Sequence, residues 1–245
     1  DRTGDVLLYE IYNEEKRTVI PFEEIPRNIK NATIAIEDSH FYSHAGVSIL
    51  SIARSFVTDL FHGRFLYASG STITQQLVKN ALLSPEKTLT RKLKEAVIAL
   101  KIERVYTKDE ILSMYLNEIP YGSNAYGVEA AAQTYFGKNA KDITLAEAAH
   151  LAALPKAPSY YSPYGTRTDE LEKRKNAVLT RMEELQFITP EAADAARTEH
   201  VAFLSPTTQG LRAPHFVMHV IDRLREELGE EFVQKQGLVV HTTLD

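Results

Sequence analysis

The sequence predicts a mainly α-helical chain with short flanking β-strands at both ends. Two observations carry that expectation. Helix-start signatures recur through the middle, and apolar residues between them return every three or four positions, the spacing of one helix face. Strand-like runs are confined to residues 6–12 and 17–20, around the polar turn Asn13-Glu14-Glu15-Lys16, and to residues 237–243.

Taken in order, the grammar turns helical at Pro26. Thr72 with Gln75, Thr107 with Glu110 and Thr144 with Glu147 each fit a capping box, in which the N-cap hydroxyl and the N3 side chain satisfy free amides. Ser84-Pro85 and Thr189-Pro190 supply an N-cap followed by proline at the first helical position. These signals delimit helices near 46–62, 72–83, 91–105, 108–117, 125–135, 145–154, 169–186, 190–199 and 214–228. In the helix over 91–105, Leu93, Ala96, Val97 and Leu100 form one apolar stripe and Ile98, Ile102 and Val105 a second. Apolar flanks on two sides predict a helix that is largely buried.

Composition narrows the function. The 245 residues are 44% apolar and 25% charged, ordinary for a folded chain. The absence of cysteine excludes disulfides, a thiolate nucleophile and Cys-ligated zinc. The longest apolar stretches, such as Ala146 to Leu154, fall short of the roughly 18 to 20 residues a membrane span requires. A start at Asp1 and a stop at Asp245 read as cut ends, so a membrane anchor or a second domain is expected outside the chain.

The net charge of −5 argues against a general nucleic-acid binder, yet it is an average over segregated charge. Residues 79–108 hold eight cations against three anions, while residues 179–245 hold six cations against eleven anions. A solvated helix face is one reading of the basic run. A phosphate held by cations near a buried helix is the other.

Four ordered motifs lie across the helical region. They are Glu37-Asp38-Ser39-His40-Phe41-Tyr42-Ser43-His44-Ala45-Gly46, then Gly70 to Gln76 continuing to Lys79-Asn80, then Arg91-Lys92-Leu93-Lys94-Glu95, and Lys108 to Asn117. Together they resemble the family 51 glycosyltransferases, the peptidoglycan polymerases. Ala130 to Lys138 continues the likeness, and Arg174-Lys175-Asn176-Ala177-Val178-Leu179 is a weaker match to a further motif, with Lys at its second position. The resemblance covers roughly residues 25–200.

Each motif has its own chemistry. Paired carboxylates after an apolar run raise each other's pKa, as a general base requires, or else complement a helix N-terminus. The resemblance gives Glu37 the role of catalytic base and makes Asp38 an orienting, substrate-side neighbour. His40 and His44 lack the glutamate and third ligand of a zinc site, so His44 is expected to hold the loop with Phe41 and Gly46. Arg91 and Glu95 are spaced for an i, i+4 ion pair. The resemblance makes Glu95 the second essential carboxylate and Ser71, Gln76, Lys79, Lys87, Arg91, Lys92 and Asn117 substrate contacts. The family often has Arg where Lys87 stands, and lysine lacks the bidentate fork for phosphate. Ser84-Pro-Glu-Lys87 matches the S-x-x-K of transpeptidases, but no partner motif follows in a suitable context.

The resemblance therefore implies a lysozyme-like, two-lobed fold with Glu37 and Glu95 facing each other across a cleft. It implies lipid II and the growing glycan as substrates, and a divalent ion, Mg2+ or Mn2+, near Glu95 as the one cofactor to consider. Aromatic and cationic residues in 56–67 suit a membrane interface. The expected organisation is an N-terminal strand and linker at 1–24, the glycosyltransferase domain at 25–205, and a helix-strand linker at 206–245 toward a missing domain. That domain would be a transpeptidase, as in class A penicillin-binding proteins, and the protein would sit at the outer face of the plasma membrane. Two rivals remain at this point: a lysozyme-like glycan hydrolase and a non-catalytic cell-wall scaffold.

Overall fold

Prolines and threonines set the helix starts. Pro26, with φ −58° and ψ 144°, precedes α1 (Arg27–Glu37). Thr72 opens α2 (Ile73–Leu82) with a complete capping box, and Thr88 caps α3 (Leu89–Val105) through the Arg91 amide. Thr107 and Thr144 close capping boxes on α4 (Lys108–Glu118) and α6 (Leu145–Ala153). Between these two lies α5 (Val128–Phe136), ended by Gly137 in the left-handed conformation. α7 (Thr168–Glu184) and α8 (Pro190–Thr198) follow, the latter capped by Thr189 with proline at its start. The computed structural model describes residues 16–48, 70–83 and 88–204, together with 216, 219–220, 223–224, 227 and 240–242.

The described residues are mainly helical, as the sequence predicts. The chain divides into two compact units, residues 17–203 and residues 1–16 with 204–245. Within the first unit the helices form two packed groups. One joins α1, α6, α7 and α8; the other joins α2, α3 and α4. Alanines at 130–132, 146, 148, 149, 152 and 153 are buried, so α5 and α6 approach their neighbours closely. Tyr115, Tyr121, Tyr135 and Phe41 fill the largest volumes of the core.

Three expectations are corrected. Strands occur in the middle of the chain: β2 (Pro120–Gly122) pairs antiparallel with β3 (Ala125–Tyr126), and the predicted helix at 125 starts three residues later. The connecting residues Ser123 and Asn124 have φ of 52° and 57°, the two left-handed residues of a tight hairpin turn. Gly127 follows with φ +80°, and a Cβ there would meet the Asn117 carbonyl at 2.6 Å, so only glycine fits.

Second, the strand expected over 17–20 reduces to β1 (Lys16–Arg17). The side chain of Asn117 takes the place of a strand partner for Ile20. Its Oδ1 accepts the Ile20 N–H at 3.0 Å and its Nδ2 donates to the Ile20 carbonyl at 3.0 Å.

Third, α3 is not buried on two flanks. Leu93, Val97 and Val105 are 69%, 52% and 73% exposed, while the groups it buries are Glu95 and Ala99. Residues 46–48 of the helix predicted at 46–62 are not helical, and the rest of it, the membrane-facing segment 56–67 and Ser84–Lys87 lie outside the described residues. So do the strands expected at 6–12 and most of 237–243, and most of the helix at 214–228.

Candidate active site

α1 ends at Glu37 and Asp38 is its C-cap, so the acidic pair stands at the negative end of a helix. The dipole of α1 cannot be what holds these carboxylates. Two donors hold Glu37 instead. Gln76 Nε2 donates to Oε2 at 2.8 Å, and Arg174 Nη2 donates to Oε1 at 3.2 Å. Each donor is itself fixed. Gln76 Oε1 accepts from the Tyr115 hydroxyl at 3.1 Å. Arg174 Nε donates to the Ala153 carbonyl at 2.9 Å, and its guanidinium lies 5.3 Å from the centre of the Tyr161 ring. Burial, with Glu37 nearby, raises the hydroxyl pKa of both Tyr115 and Tyr121, so both stay protonated. The Tyr121 hydroxyl is buried without a hydrogen-bond partner among the described residues.

Asp38 turns its carboxylate to other groups. Oδ2 accepts the Ile73 N–H at 3.1 Å at the start of α2, and both oxygens bind His44 Nε2, at 2.8 and 3.0 Å. His44 Nδ1 accepts the Gly46 N–H at 3.1 Å, which places the ring proton on Nε2, facing Asp38. Gly46, at φ +84°, lets the loop lie on α3, where a Cβ would meet Glu103 Cγ at 2.8 Å. The Gly46 carbonyl accepts from Thr72 Oγ1 at 2.6 Å. Phe41 is fully buried below, with Lys108 Nζ 4.5 Å from its ring centre. His40 and His44 flank a short turn of 3-10 helix rather than sharing a helix face.

The second carboxylate belongs to the other helix group. Glu95, on α3, is 1% exposed. Its Oε1 binds Lys92 Nζ, which also donates to Ser71 Oγ at 2.6 Å. The ion partner is therefore Lys92 rather than the Arg91 that i, i+4 spacing suggests. Among the described residues, Glu95 Oε2 and Arg91 Nε are buried without hydrogen-bond partners.

Lys79 connects the two halves. It keeps a solvent-exposed surface, yet enough protein surrounds its ammonium that desolvation lowers its pKa below the ordinary lysine value. Glu95 pulls that pKa up, Arg91 and Lys92 push it down, and Glu37 pulls it up again. One lysine thus feels both carboxylates and both neighbouring cations.

The structure therefore gathers Glu37, Ser71, Gln76, Lys79, Arg91, Lys92 and Glu95 around one site, with Asp38, His44 and Gly46 bracing its floor. Asn117 does not join them. It is buried, both N–H groups of its amide donate to the Ile20 and Ser113 carbonyls, and its oxygen is taken by Ile20, so it is a clamp on the N-terminal segment. Lys87 lies outside the described residues. Arg174 is the residue that sequence reading missed as a site group. Its only signal was the weaker motif match at 174–179.

The surroundings of Glu95 test the Mg2+ or Mn2+ expectation. Among the described residues the donor set is one free carboxylate oxygen beside Lys92, Lys79 and Arg91, with no group of three metal-ligating side chains. A divalent ion at Glu95 would have this one carboxylate oxygen among the described residues, its other ligands coming from substrate phosphate and water.

Fold and site together define a helical domain that arranges two buried carboxylates about a cationic surface. The family model described as Transglycosylase matches residues 4–183, and the chain belongs to that family. It is 41% identical over 238 residues to penicillin-binding protein 1A of Aquifex aeolicus, covering 97% of this chain and 32% of the relative. Against penicillin-binding protein 1A of Escherichia coli the identity is 42%, covering 95% and 27%. Penicillin-binding protein 2D of Bacillus subtilis is also 42% identical, covering 94% and 34%. The chain thus spans about a third of the length of these relatives or less. The crystal structure of penicillin-binding protein 1A from Haemophilus influenzae superposes with a TM-score of 0.56 at 26% identity, covering 94% of this chain and 24% of the other.

Proposed function

We propose that this domain is a peptidoglycan glycosyltransferase that polymerises lipid II with inversion, Glu37 acting as general base. The observation that carries the reading is the placement of Glu37. A carboxylate held on both oxygens by Gln76 and Arg174 shares Lys79 with the cationic surface around Glu95. Each Glu37 oxygen keeps a second lone pair, so a fixed orientation is compatible with accepting a proton.

In this mechanism Glu37 takes the proton from the 4-hydroxyl of the acceptor sugar. That oxygen forms a bond to C1 of the donor as the bond from C1 to the pyrophosphate oxygen breaks. The electron pair leaves with undecaprenyl pyrophosphate, which is already anionic and needs cations rather than a protonating acid. Lys79, Lys92 and Arg91 supply them, with Lys87 a further candidate. Glu95 orients Lys92. A glycan hydrolase would need a protonated acid and has no use for this cation set. The domain would work at the outer face of the plasma membrane, held by a segment outside residues 1–245 and fused to a transpeptidase.

Glu37→Gln keeps the shape and the Arg174 contact but cannot accept the proton. Polymerisation should fall by about a thousandfold or more, with lipid II affinity nearly unchanged. Near-normal turnover in this variant overturns the assignment.

A further inference from the structure

A cluster of titratable side chains outside the site pins α7 to its neighbours. His150 on α6 and Lys175 on α7 are 1% and 2% exposed. Glu172 joins them: Oε1 lies 2.7 Å from His150 Nε2, and Oε2 lies 2.7 Å from Lys175 Nζ. Lys175 Nζ also donates to the Arg197 carbonyl near the end of α8, at 3.3 Å. His150 Nδ1 faces the Ala146 carbonyl at 2.9 Å, and the Phe203 ring meets the imidazole edge-on at 5.1 Å. Glu172 and Lys175 are the charged groups facing His150 among the described residues. The Arg197 guanidinium of α8 is turned to Glu183 and Asp194. On α5, Glu129 is taken by Gln133 and the Ala140 N–H, and on α6 itself Glu147 pairs with Lys138. Glu37 of α1 is held by Gln76 and Arg174.

Two polar contacts therefore cross from α6 to α7. His150 to Glu172 is one; Arg174 Nε to the Ala153 carbonyl, one turn further along α6, is the other. Arg174 stands between Glu172 and Lys175 in the chain, and a shift of α7 along α6 breaks both contacts together.

The geometry points to His150 as a positioning residue: with Glu172 and Lys175 it fixes α7 against α6, so that protonating its ring loosens Arg174 from Glu37. With a neutral ring, Glu172 balances the one buried cation, Lys175. A further ring proton sets two cations on one carboxylate where both are almost excluded from water. The imidazolium would give each ring nitrogen an acceptor, yet burial outweighs this and lowers the His150 pKa below the ordinary histidine value, against the upward pull of Glu172. Glu172 is half exposed, so hydration of the cluster is the way out. An ordinary pKa in the loosened state and a lowered one in the closed state keep the clamp shut above the ordinary value. It weakens as pH falls through the lowered one. The coupling of His150 to Arg174 holds whatever the chemistry; its effect on turnover rests on Glu37 being the base.

NMR of labelled protein can follow the His150 ring and the Arg174 Nε–H in one pH titration, without substrate and without a variant. Both signals should move with a single midpoint below the ordinary histidine range. Below that midpoint the Arg174 Nε–H should exchange with water about tenfold faster or more. His150→Gln keeps a donor for Glu172 and carries no charge, so the Arg174 movement should vanish there. Glu37→Gln should retain it. The lipid II polymerisation rate of His150→Gln relative to the parent should rise about threefold or more as pH falls through the same interval. An Arg174 signal that stays still while His150 titrates overturns the inference. So does a movement kept in His150→Gln or lost in Glu37→Gln, or a flat ratio of rates between two active proteins. Polymerisation absent at every pH, with the NMR coupling intact, would count against the Glu37 reading and support this one.

Discussion

Glu37 and Glu95 are both buried carboxylates, yet their surroundings differ in what is left undone. Glu37 has a donor on each oxygen, and each donor is anchored by a further contact. Among the described residues Glu95 has Lys92 on one oxygen and no hydrogen bond on the other, beside an Arg91 nitrogen that also has none. Buried polar atoms without partners are costly, so among the described residues Glu95 is held less completely than Glu37. On the proposed reading, protein donors fix Glu37, while Arg91 keeps a donor for an anionic substrate.

The sharpest way to break this contrast is Arg174→Ala. It leaves Glu37 Oε1 and the Ala153 carbonyl unpaired, so stability should fall by about 3 kcal/mol and turnover by about a hundredfold. Denaturant unfolding and lipid II polymerisation read the two losses. Glu95→Gln should behave oppositely. It removes a buried charge whose second oxygen has no partner, so the free protein should be no less stable while polymerisation drops by about tenfold or more. A large stability loss would show that Glu95 is already satisfied without substrate.

Asn117→Ala marks the boundary of the site. Losing the clamp on Ile20 should cost about 1–2 kcal/mol of stability and leave the KM for lipid II unchanged. A raised KM would return Asn117 to the substrate contacts. Lys79→Arg sharpens the electrostatics with the smallest effect. Desolvation lowers the Lys79 pKa, so its charge is lost at a lower pH than for an ordinary lysine. Affinity for a pyrophosphate should then fade as pH rises through that value. Arginine stays charged throughout, so the variant should hold its affinity to higher pH at a modest cost near neutrality.

Much of this was legible in the sequence, and the reasons are local. The capping boxes at Thr72, Thr107 and Thr144 form as their spacing requires, because each depends on four consecutive residues. The gathering of Gln76, Lys79, Lys92 and Glu95 followed from motifs on adjoining helices. What escaped depends on partners distant in the chain. Arg174 reaches Glu37 across 137 positions, and Asn117 replaces a strand partner for Ile20 across 97. The α3 stripes misled because periodicity reports which residues share a face, not which face meets the core. There the helix turns its glutamates inward and its leucines out.

The central claim is that Glu37 is the base in a site where binding is separable from chemistry. Lipid II affinity and polymerisation rate, measured side by side on the parent and Glu37→Gln, test it most directly. The account predicts retained affinity with polymerisation lost by about a thousandfold or more. A variant that polymerises at near-parent rate would contradict it.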